Sequence, residues 1–288
     1  MEMDHPAELP IRLFLMNAVE GKAHMSEEII ERIADDVKAA LNKQFNGGPR
    51  DTFKLRMSNL GRPKCQLWYE KNKPELKADF PPNFMMNMMI GDIVEAVFKG
   101  VLRAAGVPFK DAGKVKLELP DGTIINGEYD MILDGRVDDV KSASDYSYNF
   151  KFKDLETLQQ GDSFGYCSQL VGYAKAANKD VGGWWVVNKM NGHFKYVDAN
   201  GIDDKAQMDK IQETVEFINQ DKPFERCFEP EPETFYKKET GNLKLCATCG
   251  FCGFKRDCWP ELQSLPSRVS KAKSAPIVDY VFIGDGLD

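Results

Sequence analysis

The sequence has no excess of positive charge and no long apolar run. Lys and Arg number 38 against 45 Asp and Glu, and the net charge is −7. An acidic chain is a mild argument against nucleic-acid binding, because neutralising phosphates needs basic side chains. No stretch approaches the ~20 apolar residues that span a bilayer, and the first residues lack the basic and apolar parts of a secretory signal. We therefore expect an intracellular, cytoplasmic protein without a membrane partner.

Basic residues are concentrated in one segment of this acidic chain. Between Arg50 and Asp79 there are eight basic residues against four acidic ones. A locally basic face can bind DNA on an acidic protein, because the field near the surface decides binding. A solvated surface segment has the same composition, so charge alone leaves both interpretations open.

Periodic patterns indicate a mixed α/β protein. Ser26 is a suitable N-cap for a helix with an isoleucine stripe, and a second helix is predicted over 83–105. Later helices are expected near 163–178 and 203–219. Alternating apolar residues predict strands over 115–119, 124–133, 137–140, 183–188 and 193–197. The pattern predicts a central mixed sheet whose middle strands carry acidic residues and whose faces are covered by helices.

Two of these strands bring acidic residues together. Asp130 follows Gly127-Glu128-Tyr129, and Asp139 and Lys141 lie in the next strand after a tight turn. Clustered carboxylates repel one another, and a divalent cation such as Mg²⁺ removes that cost. Lys141 is two residues after Asp139 and so points to the same face of the strand, where it can serve an attacking water. A surface hairpin with ordinary salt bridges is the alternative.

Further residues surround this acidic pair in sequence order. Gln169 and Tyr173 lie one helical turn apart on a predicted helix, and Glu95 lies upstream on an amphipathic helix after Gly91. The order resembles the RecB-like branch of the PD-(D/E)xK nucleases, with a Gly-x-x-x-His helix, a Gly-x-x-Asp strand, a (Glu/Asp)-x-Lys strand and a Gln-x-x-x-Tyr helix. Glu95 stands where many members have His, and Asp139 stands where Glu is commoner.

The resemblance implies a role for each matching residue. Metal ligands would be Asp130, Asp139 and the carbonyl of Val140, with Glu95 as the least certain member, and the metal would be Mg²⁺ or Mn²⁺. Lys141 would serve the water, while Gln169 and Tyr173 would contact DNA. The fold implied is a restriction-endonuclease-like core. We expect an N-terminal helical region at 1–57, the nuclease domain at 58–260 and a tail at 261–288.

Seven cysteines include a cluster near the C-terminus. In an intracellular chain such a cluster favours a metal or iron–sulfur site over disulfides. The run Cys249-x2-Cys252-x5-Cys258, with Cys65 far upstream, resembles the iron–sulfur staple of some RecB-like nucleases, including AddB and the CRISPR-associated exonucleases. The resemblance implies a [4Fe-4S] cluster on these four thiolates. The alternatives are a zinc site and the use of Cys246 as a ligand. Cys167 and Cys227 are expected to be small apolar fillers.

Two further segments have alternative interpretations. Tyr146, Tyr148, Phe150 and Phe152 alternate with polar residues, which favours the buried face of a strand, although such aromatics also stack on single-stranded bases. The tail from Ser274 to Asp288 is either a docking segment for a recombination or replication partner or a frayed end.

These patterns lead to one functional hypothesis. We expect a Mg²⁺- or Mn²⁺-dependent DNA exonuclease that acts on ends or single strands, in recombination, repair or phage DNA metabolism. If the chain is phage-encoded, it would act in the host cytoplasm. A non-catalytic DNA-binding or assembly protein with the same fold, a structure-specific endonuclease, and a zinc-stabilised interaction module are the alternatives.

Overall fold

A computed structural model describes residues 3–47, 53–79, 81–220 and 222–284. Helices and strands are numbered along the chain. The helices are α1 (Glu8–Val19), α2 (Glu27–Phe45), α3 (Lys64–Asn72), α4 (Pro82–Ala104), α5 (Leu155–Gln160), α6 (Tyr166–Ala177), α7 (Asp204–Asn219), α8 (Ala247–Gly250) and α9 (Lys255–Cys258). The strands are β1 (Phe109–Lys110), β2 (Gly113–Glu118), β3 (Ile124–Tyr129), β4 (Met131–Leu133), β5 (Arg136–Ala143), β6 (Asp180–Asn188), β7 (Phe194–Asp198), β8 (Glu231–Phe235), β9 (Lys238–Lys244), β10 (Gln263–Pro266) and β11 (Ile277–Phe282).

The chain forms two compact units, each built from separated segments. Unit 1 contains residues 1–61 and 81–215, and unit 2 contains residues 62–80 and 216–288. This division differs from the predicted ranges 1–57, 58–260 and 261–288. Linear order does not reveal it, because the chain leaves unit 1 after residue 61 and returns to it at residue 81.

Unit 1 is a mixed α/β structure around a five-stranded sheet. The strand order is β1-β4-β5-β6-β7, and only the central β5–β6 pair is parallel. A separate hairpin joins β2 and β3. The predicted central mixed sheet flanked by helices is therefore confirmed.

Apolar cores cover both faces of this sheet. Trp184 and Trp185 are consecutive on β6 and both fully buried, and they belong to different cores because strand side chains alternate between faces. Helix α6 packs on the core that contains Trp184, whereas α1 and α4 contribute Ile11 and Phe98 to the core that contains Trp185. A strand buried on both faces explains its uninterrupted apolar sequence.

Several local predictions are confirmed and others are wrong. Helix α2 begins after Ser26, whose hydroxyl accepts the N–H of Ile29 at 3.4 Å. Residues 8–19, for which no individual helix was predicted, form α1 within the region 1–57 that was expected to be helical. The aromatic segment predicted as a strand is instead a π-helical turn at Ser147–Lys151. Its alternation of aromatic and polar residues resembles that of a strand although the backbone is coiled.

Unit 2 is organised around a four-stranded antiparallel sheet of order β10-β11-β9-β8. Strand β11 pairs on both sides, and its Tyr280 is fully buried, with its hydroxyl donating to Glu233 at 2.8 Å. The prediction that this tail is a docking segment or a frayed end is therefore wrong for Ile277–Phe282, because these residues form an inner strand of the sheet. Asp285 and Asp288 of that tail lie outside the described residues.

The basic segment around residues 50–79 is divided between the two units. Lys54 and Arg56 belong to unit 1, whereas Arg62 and the lysines that follow it belong to unit 2. Arg50 and Asp51 lie outside the described residues. No helix of the described ranges is long and apolar enough to cross a membrane.

Candidate active site

The first part of the site is a break between two strands. The predicted strand over 124–133 is interrupted at Asp130, which lies between β3 and β4. One carboxylate oxygen of Asp130 accepts the backbone N–H of Val140 at 2.8 Å. This hydrogen bond joins Asp130 to Val140 in the middle of β5. The Asp130 carboxylate therefore lies beside the part of β5 that contains Asp139 and Lys141.

Asp139 and Lys141 project from one face of β5. The Nζ of Lys141 lies 2.6 Å from Oδ2 of Asp139, and the Asp139 side chain is 4% exposed and that of Lys141 is 20% exposed. The strand places them together because residues two apart share a face. The structure thus brings Asp130, Asp139 and Lys141 to neighbouring positions in unit 1.

Burial and charge both shift the pKa values of this group. Burial raises the pKa of Asp139 to about 7, with Asp130 and Glu95 adding to the rise and Lys141 opposing it. Burial alone would lower the pKa of Lys141, but the carboxylates of Asp139 and Asp130 raise it above its ordinary value. Lys141 is therefore an ammonium at neutral pH, able to donate hydrogen bonds but not to accept a proton.

Glu95 extends the site from α4. Burial raises the pKa of Glu95, and the charge of Asp130 raises it further, while Lys99 and Lys141 lower it. Lys99 lies one turn later on α4 with its Nζ 2.5 Å from Glu95, and it is itself buried. Sequence reasoning missed Lys99, although its spacing of four residues from Glu95 is typical of a helical ion pair.

The chemistry of these donors fits a hard divalent cation. The charge of Asp130 raises the pKa of both Glu95 and Asp139, a cost that a cation beside these carboxylates relieves. Mg²⁺ uses one or two carboxylates, with waters and substrate phosphate completing its shell. In the ranges that the structure describes, no group of three or more His, Cys, Asp or Glu side chains is arranged to hold a metal ion.

Gln169 and Tyr173 lie on α6 beside this site. The amide of Gln169 donates to the hydroxyl of Tyr173 at 3.1 Å. Burial raises the pKa of Tyr173 to about 12. The charges of Asp139 and Asp130 also raise it, whereas the hydrogen bond from Gln169 lowers it. The ring of Tyr173 is 5% exposed and packs over Gly127, where a Cβ would lie 2.6 Å from the ring. Of the two predicted DNA contacts, Tyr173 is buried and Gln169 is half-buried.

Tyr166 is a second residue that sequence reasoning missed. The Nζ of Lys141 lies 5.0 Å from the centre of the Tyr166 ring, within the range of a cation–π contact. Its spacing of three residues before Gln169 on α6 was the available signal.

The face of the sheet opposite Asp139 contains another buried carboxylate. Asp138 accepts hydrogen bonds from the N–H of Gly183 at 2.9 Å, from the Trp185 indole at 3.1 Å and from the Tyr196 hydroxyl at 2.9 Å. Burial raises the pKa of Asp138 to about 7, while these three bonds oppose the rise. The pairing of β5 with β6 shifts register between Val137 and Asp139. The Asp138 bonds therefore hold the strand irregularity that precedes the site.

Four cysteines line one recess in unit 2. Cys65 at the start of α3 faces Cys249, Cys252 and Cys258 across a recess of about 370 Å³, open mouth included, whose other walls include the rings of Tyr69, Phe254 and Trp259. These are the four predicted cluster ligands. Thiols are the donor type that both [4Fe-4S] clusters and zinc use, although in the described part of the chain no three of them converge to hold a metal ion.

The remaining cysteines differ in their surroundings. Cys246 is buried and free. Burial and a hydrogen bond with the Cys246 thiol raise the pKa of Cys249. Cys167 is buried in the core of unit 1, as expected of a filler. The prediction is wrong for Cys227, which is exposed and whose sulfur accepts the N–H of Cys65 at 3.0 Å.

Comparisons with known proteins identify no family for this chain. No family model matches the chain, and no curated protein matches it. Among solved structures, the crystal structure of SSO0001 aligns with 80% of this chain and 96% of its own, at 13% identity and a TM-score of 0.39. A likeness this weak does not transfer a function.

Proposed function

We propose that this protein is a metal-dependent deoxyribonuclease that hydrolyses phosphodiester bonds at DNA ends or in single strands. The observation that carries the proposal is the buried ion pair of Lys141 with Asp139 beside the carboxylate of Asp130. Buried acids with shifted pKa values and a charged lysine are typical of catalytic centres. A surface hairpin with ordinary salt bridges would leave these groups in solvent, whereas Asp139 is almost completely buried.

Four groups would hold Mg²⁺ or Mn²⁺ in this proposal. They are the carboxylates of Asp130, Asp139 and Glu95 and the carbonyl of Val140. When bound, the ion would polarise the phosphate and lower the pKa of a water molecule.

The residues of the chain itself would bind and orient the reacting groups. Lys141 keeps its proton at neutral pH, so its role is to hold the attacking water and to stabilise negative charge on the phosphate. Tyr173 positions Gln169 through their hydrogen bond, and the Gln169 amide is the group available to a DNA strand. Lys99 holds the carboxylate of Glu95.

The cysteines would have a structural role in the same protein. A [4Fe-4S] cluster on Cys65, Cys249, Cys252 and Cys258 would tie the two segments of unit 2 to each other. Closing so long a loop restricts the unfolded chain. Zinc on the same thiolates would have the same mechanical effect.

Digestion of end-labelled DNA tests the proposal. Linear and circular DNA, single- and double-stranded, is incubated with the protein and Mg²⁺ or Mn²⁺, with a chelator as control. We expect loss of label from linear DNA and resistant circles. Asp130→Asn should lose this activity, whereas Glu128→Gln, an exposed carboxylate on the preceding strand β3, should retain it. A protein that binds DNA but never cuts it, with either metal, would contradict the proposal and favour the non-catalytic alternative.

A further inference from the structure

An exposed aromatic surface lies on the π-helical turn that follows β5. The rings of Tyr146 and Phe150 are 72% and 60% exposed, and their centres are 5.0 Å apart at an angle of 35°. Both project from one side of the turn because they are four residues apart. Large aromatic side chains are costly to leave in water without a partner.

The other side of the same turn is anchored in unit 1. Phe152 is 3% exposed and stacks on Tyr166 at 5.6 Å, and Tyr148 packs against the same core. Asp145, just before the turn, accepts a hydrogen bond from Asn188 of β6 at 2.9 Å. The turn is therefore fixed, and the exposure of Tyr146 and Phe150 is a property of its fold.

A line of stacked rings and cations joins this turn to the candidate active site. Lys151 lies 4.5 Å from the ring centre of Phe164 and 4.7 Å from that of Tyr166. Phe164 is 48% exposed and is stacked on Tyr166 at 5.7 Å and 16°. The Nζ of Lys141 lies 5.0 Å from the centre of the same Tyr166 ring.

We infer that Tyr146, Phe150 and Phe164 form a platform on which the unpaired bases of a single DNA strand stack as the strand approaches Lys141. This inference rests on the proposed function and specifies its substrate as single-stranded DNA. Aromatic rings bind bases of any sequence through their faces, and interleaved lysines pair with the phosphates between them. In a duplex the base faces are already covered by neighbouring bases, so duplex DNA does not use such a platform.

The lysines distinguish this surface from an ordinary apolar docking face. Lys151 sits between the exposed rings in sequence and contacts Phe164, and the exposed Lys153 follows. An anionic chain with planar groups is complementary to this mixture, whereas a purely apolar partner would bury the ammonium group of Lys151 at a cost in desolvation.

Binding of labelled oligonucleotides, measured with a chelator present so that cleavage cannot occur, tests the inference. The probes are a single-stranded DNA and a blunt duplex of the same length, each titrated with wild type, with Tyr146→Ala/Phe150→Ala and with Phe164→Ala. Tyr236→Ala is the matched control, because Tyr236 is a 79% exposed aromatic residue of unit 2. Circular dichroism establishes that each variant is folded.

We expect each platform variant to bind single-stranded DNA at least about fivefold more weakly, because stacking on one base contributes about 1–3 kcal/mol. Tyr236→Ala should bind as wild type does, and duplex affinity should be unchanged in all variants. An oligonucleotide with abasic sites should bind wild type more weakly than intact single-stranded DNA does. Wild type and the double variant should have the same affinity for this abasic oligonucleotide.

Unchanged affinity of the folded platform variants for single-stranded DNA would overturn the inference. An equal loss of duplex affinity, or a difference that persists with abasic DNA, would also overturn it. If wild type cuts DNA in the digestion assay while these results contradict stacking, the platform fails and the nuclease proposal stands. If wild type neither cuts nor binds DNA, both fail.

Discussion

Asp138 and Asp139 are consecutive residues of β5 whose carboxylates lie on opposite faces of the five-stranded sheet. Asp138 is bonded to Trp185 and Tyr196 in one core, whereas Asp139 pairs with Lys141 on the other face. Asp138 accepts hydrogen bonds from three neutral donors, whereas Asp139 lies among the charged groups of Lys141, Asp130 and Glu95. This difference predicts separate roles, with Asp138 holding the strand and Asp139 serving the chemistry.

The role of Asp138 is tested by Asp138→Asn. The carboxylate of Asp138 accepts three hydrogen bonds, and the amide nitrogen of Asn would face at least one of their donors without accepting from it. We therefore expect the free energy of unfolding to fall by about 1–3 kcal/mol. Urea denaturation measures this, and Asp180→Asn at the exposed start of β6 should change stability little. At temperatures where it is folded, Asp138→Asn should retain most of the cleavage rate. Loss of activity as large as that of Asp139→Asn would assign Asp138 to the chemistry.

The approach of Gly61 to Gly165 predicts a second stability effect. A Cβ on Gly165 would lie 2.1 Å from the Cα of Gly61, and Gly165 has a φ of +75° at the start of α6. Gly165→Ala should therefore destabilise unit 1 by about 2–5 kcal/mol, from left-handed strain and overpacking together. Thermal or urea unfolding measures the change. Gly161→Ala is the control, because its Cβ would meet only Thr157 at 3.6 Å. Similar stability of the two variants would contradict the close packing.

His5 predicts a pH dependence of stability. It is 1% exposed against Trp185 and Tyr196, and its Nδ1 accepts the N–H of Ala7 at 3.1 Å. Burial lowers the pKa of His5 below 6.5, although Asp134 opposes this. A lowered folded-state pKa means that the contribution of neutral His5 is complete above 6.5 and is lost as the pH falls through the folded-state value.

The comparison of wild type with His5→Asn isolates this contribution. Asn keeps an acceptor for Ala7 but does not titrate, and the buried aspartates are common to both proteins. We expect the stability advantage of wild type in urea to shrink as the pH falls from about 7 to about 5. His193→Asn, at an exposed histidine, is the surface control. A constant difference for His5→Asn would show that His5 does not stay neutral in the fold.

The cysteine recess predicts which thiols bind the metal group. Protein purified without oxygen should contain iron and acid-labile sulfide, and Cys65→Ala should lose most of both. Cys227→Ala should retain them, because Cys227 touches Cys65 but does not line the recess. Metal and sulfide analysis with the visible absorption spectrum measures the outcome. A colourless protein with one zinc, indifferent to the loss of Cys65, would contradict the iron–sulfur interpretation.

Local patterns predicted much of the fold and the placement of the acidic residues. The cap at Ser26, the strand over 137–140 and the tight turn at 134–135 depend on neighbouring residues, and all of them are found. The turn explains why Asp130 and Asp139 come together, since it folds β4 back along β5. These features can be predicted from the sequence because the interactions that create them act over a few neighbouring residues.

Other features depend on tertiary packing and were not predictable. The alternation from Tyr146 to Phe152 has the period of a strand, but the segment coils because Phe152 and Tyr148 are buried against α6 and its core. The burial of Tyr173 follows from its contact with Gly127 on a distant strand. The pairing of Cys227 with Cys65 joins residues that are remote in sequence.

The central claim is that Asp139 and Lys141 form the hydrolytic centre, and the single-turnover cleavage rate of a labelled linear single-stranded DNA tests it most directly. Asp139→Asn and Lys141→Met are compared with wild type and with Glu128→Gln at saturating Mg²⁺, after each variant is shown to be folded. The account predicts that the two site variants cut at least about 100-fold more slowly, in the range typical of a lost acid–base or charge-stabilising group, while Glu128→Gln cuts as wild type does. Cleavage by folded Asp139→Asn or Lys141→Met at the wild-type rate would contradict it.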